Sequence, residues 1–267
     1  MAGKESNQTG SIRRETDGAI GWVVIDRPAR HNALTAAMWA GLPARIGEAE
    51  ANDAIRVIVL RGAGDKAFSA GADIAEFDTA REGKAARDYD ALNQAAFDAI
   101  SAARKPVIAM IGGFCLGGGL ALALCCDLRV AAEGSQFSIP AAKLGLGYHP
   151  LWIRTLLACV SPASAKELLF TGERFGAAHA LRTGLVNRVL APETLEPGVR
   201  ALARSIAANA PLTIYAAKRA VDAFSAQLGA REIAELLELL ERCLASEDYA
   251  EGRRAFREKR KPQFKGR

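Results

Sequence analysis

VIAMIGGFCLGGGLALALCCD, residues 107–127, is the stretch on which the fold turns. It opens with five apolar residues, meets one glycine pair at 112–113 and a triple glycine at 117–119, and closes on a run of alanines and leucines. Positions 106–126 carry no charge, and 21 such residues are long enough to cross a bilayer. Pro106 and two glycine clusters argue otherwise, because glycines punctuate structure. The stretch therefore predicts a buried strand at 107–111, a turn, a second turn and a short helix over 120–126, with no membrane attachment.

Working outward, AIGWVVID (19–26) and IRVIVLR (55–61) have the short, Val- and Ile-rich pattern of buried strands, and DLRVA (127–131) and LVNRVL (185–190) continue it. Helical stretches fall between them at 36–51, disturbed by Pro43, and at 86–104, ending before Pro106. Alternating strands and helices give an α/β core. After Ser161 the pattern turns helical, at 162–170, 193–209, 211–228, 230–245 and 247–259, with apolar spacing such as Ile233, Leu236, Leu237 and Leu240. Two parts are expected: a core over 1–197 and a helical oligomerisation region over 198–267.

The chain has 267 residues, with 50% apolar and 24% charged residues, which excludes a disordered or fibrous protein. Five cysteines without a C-x-x-C pair fit a reducing, cytoplasmic location better than a disulfide framework. The N-terminal 18 residues are polar and contain acids, unlike a signal or transit peptide. Net charge is +5, yet the last 16 residues (252–267) hold eight Lys/Arg and one Glu, so the body is nearly neutral and the tail basic. That tail reads either as a solvated, frayed terminus or as a patch for phosphates. Its confinement to the terminus weighs against nucleic-acid binding.

Signatures of nucleotide hydrolysis, dinucleotide binding, zinc hydrolysis and the nucleophile elbow are absent, and the three histidines (His31, His149, His179) have no metal-ligand spacing. Two small-residue turns remain: AFSAGAD (67–73) and CLGGGLALALCCD (115–127). Glycine lets a ligand approach the backbone closely, and a helix start presents unpaired N–H groups to negative charge. Two such turns can hold an oxyanion, or can simply make tight strand-to-helix connections. Spacing alone leaves both readings open.

AFSAGADI followed by CLGGGLALALCCDLRVAAEGSQF resembles the crotonase (enoyl-CoA hydratase/isomerase) superfamily. DRPARHNAL (26–34), ELLFTG (167–172), GLVNRVL (184–190), APLTIYAAKRAV (210–221) and SEDYAEGRRAFREKRKPQF (246–264) extend the resemblance over residues 19–264. It implies a spiral of repeated strand–strand–helix turns, C-terminal helices that build a homotrimer or a dimer of trimers, and an acyl-coenzyme A substrate. It further implies an oxyanion hole formed by the N–H groups of Ala72 and Gly118, with no tightly bound cofactor and no metal. Coenzyme A contacts are implied at Ala29, Arg30, His31 and Asn32, at Ala70, Gly71, Asp73 and Ile74, and at Phe256 and Lys259. The acyl pocket is implied at Gly117, Ala121, Pro140, Ala141 and Leu144.

The resemblance also places two catalytic glutamates, and both positions are alanine here, Ala121 and Ala141. Hydration uses such a pair as acid and base. An oxyanion hole without it suits decarboxylation of a malonyl-type thioester, in which loss of CO₂ needs only a stabilised enolate and a later proton. LGLGYHP partially resembles a loop of methylmalonyl-CoA decarboxylases that has a tyrosine at the position of Tyr148, which makes Tyr148 the candidate donor, with His149 a weaker one. A catalytically silent acyl-CoA binder, or an RNA-binding homologue, is the alternative.

Overall fold

The computed structural model describes residues 10–76, 83–225 and 230–267. The chain begins with an antiparallel pair, β1 (Ser11–Asp17) and β2 (Ile20–Asp26), followed by helix α1 (Ala36–Ala51). Next come β3 (Val57–Gly62), β4 (Ala67–Ser69) and α2 (Gly83–Ser101), then β5 (Val107–Ile111), β6 (Phe114–Leu116) and α3 (Gly118–Cys125). The third such unit is β7 (Leu128–Ala132), β8 (Gln136–Ser138), a 3-10 turn at Pro140–Leu144, and helices α4 (Pro150–Leu157) and α5 (Pro162–Thr171). Strand β9 (Phe175–Gly176), helix α6 (Ala177–Arg182) and strand β10 (Arg188–Leu190) close the core. Four helices follow: α7 (Pro192–Ala207), α8 (Pro211–Ser225), α9 (Ala230–Leu244) and α10 (Glu247–Arg257).

The first strand of each unit enters a six-stranded sheet, in the order β1-β2-β3-β5-β7-β10, and the second enters a four-stranded sheet, β4-β6-β8-β9. That is the expected strand–strand–helix spiral. The large sheet is parallel from β2 onward and buried on both faces, as parallel sheets are. Val23, Ile58, Leu60, Ala109 and Ile111 face the main core, while Trp22, Val24, Val59, Ile108 and Val130 pack under Leu195, Val199 and Ala203 of α7. The boundary expected between 197 and 198 therefore falls inside a helix that lies on the sheet.

The uncharged stretch forms β5, β6 and α3, and among the described residues no helix is long and apolar enough to cross a membrane. Pro43 sits inside α1, and the expected helix over 211–228 is seen to Ser225, residues 226–229 lying outside the described part.

The basic tail is not frayed. Asp248, 2% exposed, accepts the N–H groups of Lys265 (2.6 Å) and Gly266 (2.8 Å), and its own N–H donates to the Arg267 carbonyl (3.2 Å). Glu251 accepts from Arg260 (2.6 Å), from Arg254 and from the Gln263 N–H (3.0 Å). Two buried carboxylates on α10 thus fold the tail back, since buried charges demand partners. Of the tail's cations, Arg254 and Arg260 pair with Glu251, Arg260 also with Glu258, and Arg267 with Glu247.

Candidate active site

Strands β4 and β6 pair in parallel, Ala67 opposite Phe114 and Ser69 opposite Cys115, so the turns that follow them lie side by side. Their contact admits only glycine. Gly71 has φ +92°, and a β-carbon there would come within 2.8 Å of the Leu116 carbonyl oxygen and 3.0 Å of the Gly118 nitrogen. One on Gly119 would meet the Ser69 carbonyl at 2.5 Å. Ser69 Oγ braces the first turn by donating to the Asn32 carbonyl (2.8 Å) and accepting the Gly71 N–H (3.1 Å).

The amide of Ala72 is oriented by its neighbours. Leu34 donates its N–H to the Gly71 carbonyl (2.7 Å) and its carbonyl accepts the Asp73 N–H (2.9 Å), forming a parallel bridge between Leu34 and Ala72. In such a bridge the flanking groups bond and the central N–H points the other way. Gly118 is the first residue of α3, where an N–H has no intrahelical acceptor. A β-carbon on Gly118 would stand 3.7 Å from the Ala72 nitrogen. Two amides from separate turns are thus held next to each other at the start of a helix whose dipole favours negative charge.

Other expected residues fall into two groups. Ala29, Arg30 and His31 are exposed beside the first turn, His31 packing edge-on to Phe114 at 5.6 Å. Asn32 is buried, and its amide is spent within the protein: Nδ2 donates to the carbonyls of Ala63 (3.0 Å) and Ala67 (2.7 Å), and Oδ1 accepts the Arg27 N–H (2.9 Å). Asp73 is likewise engaged, paired with Arg27 at 2.7 Å. Burial pushes its carboxyl pKa up, but Arg27 and the Ala75 N–H outweigh that and hold it below the ordinary value. Ala70 is half-buried in the turn, and Ile74 opens a 3-10 turn, its side chain outside the described part.

Ala121 follows Gly118 by one turn of α3, on the same face, and is buried. It lines a cavity of about 110 Å³ together with Phe97, Leu124, Cys125 and Trp152. Gln94, Asp98 and Ser101 of α2 and Arg154 and Thr155 of α4 supply its polar side. Sequence reasoning missed these residues, whose only trace is the i, i+4 spacing of Gln94 and Asp98 along α2. Gln94 Nε2 donates to Asp98 (2.7 Å), and Gln94 Oε1 accepts from Trp152 Nε1 (3.1 Å). Ala141 is also buried, in the 3-10 turn it shares with Pro140 and the exposed Leu144, and Pro140 Cδ lies 4.0 Å from where a β-carbon on Gly117 would sit.

Tyr148 packs edge-on to Trp152 at 5.5 Å, and its hydroxyl is buried with no hydrogen-bond partner among the described residues. Burial, and secondarily Cys125, drive its pKa well above the usual phenol value, so it stays protonated. His149 is exposed and caps α4, Nδ1 accepting the Leu151 N–H at 3.3 Å, which gives it a structural use. Burial raises the Cys115 thiol pKa far above the ordinary value, which removes it as a nucleophile. Asp127 accepts the Val107 N–H (2.7 Å) and pairs with Lys218 (2.9 Å), tying β5 to α8. Phe256, 86% exposed on α10, lines a groove that shares no residue with the cavity beside Ala121, and Lys259 lies just beyond that helix with φ +52°.

The sequence model of a family described as enoyl-CoA hydratase/isomerase matches residues 15–267. A crotonyl-CoA hydratase of Syntrophomonas wolfei is 37% identical over 95% of this chain and 97% of its own. A carnitinyl-CoA dehydratase of Proteus mirabilis is 35% identical over 96% and 99%. Among solved structures, an enoyl-CoA hydratase/isomerase family protein from Hyphomonas neptunium superposes with a TM-score of 0.92 at 39% identity, covering 96% of this chain and 98% of its own.

Proposed function

Because the chain belongs to the enoyl-CoA hydratase/isomerase family, we propose that it binds an acyl-CoA thioester with the carbonyl oxygen between the Ala72 and Gly118 N–H groups, and that it forms an enolate there without a carboxylate pair. The observation that carries this reading is the proximity of the two amides, the Gly118 β-carbon position being 3.7 Å from the Ala72 nitrogen. Preorganised donors of this kind stabilise developing negative charge by roughly 3–4 kcal/mol each.

The reaction that fits is decarboxylation of a malonyl-type thioester. The bond from the α-carbon to the carboxylate breaks, CO₂ leaves, and the electron pair passes to the carbonyl oxygen between the amides. Enolate carbon then takes a proton from the Tyr148 hydroxyl, and the phenolate regains one from water that enters as the product leaves. An unpartnered hydroxyl kept protonated by burial supports that role. Ala121 and Ala141 lack the groups that would activate water. The exposed apolar side chains of α8 and α9 (Val221, Phe224, Leu237, Leu240, Leu244) support self-association of the helical region.

Hydration is the second reading, favoured by the names of the relatives and by Asp98, the carboxylate in the cavity with Ala121. Incubating the purified protein separately with methylmalonyl-CoA and crotonyl-CoA tests the two. Release of CO₂ with formation of propionyl-CoA supports the proposal. Conversion of crotonyl-CoA to the 3-hydroxy product, without loss of CO₂ from the other substrate, supports hydration.

A further inference from the structure

Asn93 is 3% exposed, and its Oδ1 is buried without a hydrogen-bond partner among the described residues. An unpaired buried amide oxygen is costly, and native proteins carry few of them without a use. Its position suggests the use. Tyr89, Asn93 and Phe97 form one i, i+4 row on α2. The two outer members both touch Trp39: Tyr89 Oη accepts from its Nε1 at 3.0 Å, and Phe97 packs edge-on at 5.7 Å. Trp39 in turn lies against Gly118, its Cζ2 3.0 Å from the β-carbon position there. Phe97 continues the wall to Trp152 (5.3 Å), and Trp152 to Tyr148 (5.5 Å), whose hydroxyl is also unpaired. An aromatic wall therefore runs from the amide pair to Tyr148, and Asn93, with its unpaired Oδ1, stands between the Tyr89 and Phe97 members of that wall on α2.

We infer that Asn93 is a specificity residue that reads an oxygen substituent on the acyl group, so that the site takes thioesters bearing a hydroxyl or carboxylate in preference to plain hydrocarbon acyl groups. Rotation of the amide by half a turn presents either Oδ1 to a donor or Nδ2 to an acceptor. A hydrocarbon chain would leave Oδ1 unpaired. The inference rests on the thioester reading above.

Calorimetric titration with butyryl-CoA, 3-hydroxybutyryl-CoA and free coenzyme A tests it, since the two thioesters differ by one oxygen that can donate or accept. The wild type is expected to bind 3-hydroxybutyryl-CoA roughly tenfold more tightly than butyryl-CoA, a gain typical of pairing one buried group. Asn93→Leu is expected to erase that preference while holding butyryl-CoA as well as before, and to raise Tm, because it removes a buried orphan. Equal affinity of the wild type for both thioesters, or an equal loss of both in Asn93→Leu, overturns the inference while leaving the thioester reading intact. If neither thioester binds better than free coenzyme A, both fail together. Should Asn93→Leu not fold, Asn93→Ala serves for the same comparison, and the wild-type preference stands as a test by itself.

Discussion

A β-carbon placed on Gly118 would stand 3.7 Å from the amide nitrogen of Ala72, although 46 residues separate them and each belongs to a different turn. The pairing of β4 with β6 brings the turns together, and the absence of side chains at Gly71 and Gly119 lets them touch. Replacing Gly71 by alanine should therefore do two things. The new methyl would press on the Leu116 carbonyl and the Gly118 nitrogen in a backbone region that L-residues resist, costing about 1–3 kcal/mol in a denaturant titration. Turnover of the thioester should fall about 10²–10³-fold, the usual consequence of losing an oxyanion donor. An active Gly71→Ala protein would remove this turn from the chemistry.

Tyr148→Phe separates a catalytic hydroxyl from a packed ring. The ring contacts with Trp152 survive the change and the unpaired hydroxyl disappears, so thermal stability should hold or rise. Decarboxylation should drop about 10²–10⁴-fold, the range for a lost general acid. Because burial raises the phenol pKa in the fold, the native protein keeps this proton where the unfolded chain, at about pH 10, loses it. Stability then declines as pH rises past that point. A pH–stability curve in which the wild type falls above pH 10 more steeply than Tyr148→Phe checks the sign.

Both glutamate positions can be refilled. Ala121 faces a cavity of about 110 Å³, so a longer side chain there has space to enter. Ala121→Glu combined with Ala141→Glu should gain hydration of crotonyl-CoA over a wild type that has little, by at least the 10²-fold that one acid or base contributes. Equal hydration by both proteins would show that the missing pair is not what limits this reaction.

The tail should be released by acid. Arg260 first, then the Gln263 N–H and Arg254, hold the Glu251 carboxyl pKa far below its usual value. Its stabilising effect is complete above the unfolded carboxyl pKa, about 4.3, and is lost as pH falls below it. Asp248→Asn should loosen the same segment at neutral pH, since an amide offers one acceptor where two tail N–H groups bond to two carboxylate oxygens. Trypsin should then cut at Arg260 faster than in the wild type, as followed by mass spectrometry.

Much of the fold is legible in the sequence because the large-sheet strands are continuous Val/Ile runs and the helices between them keep apolar spacing. Strands β4, β6 and β8 are three residues each, too short to show a period, and β1 is polar because its side chains are largely exposed. The two glycine turns are legible by motif, but their contact is not, since it depends on a strand pairing that local pattern does not encode. The cavity beside Ala121 was out of reach for the same reason: its walls come from α2, α3 and α4. Asn32 and Asp73 sit in the expected segment, yet the sequence could not reveal that their side chains are occupied with Ala63, Ala67 and Arg27. The folding back of the basic tail is not legible because its partners, Asp248 and Glu251, lie on α10, where the tail begins, and become buried only in the fold.

The infrared carbonyl stretch of a bound, unreactive acyl-CoA thioester is the most direct probe of the amide pair. Two N–H donors converging on one oxygen should lower that frequency in the wild type relative to free thioester, and Gly71→Ala should return it toward the free value without abolishing binding. A stretch unchanged on binding to the wild type would contradict the account.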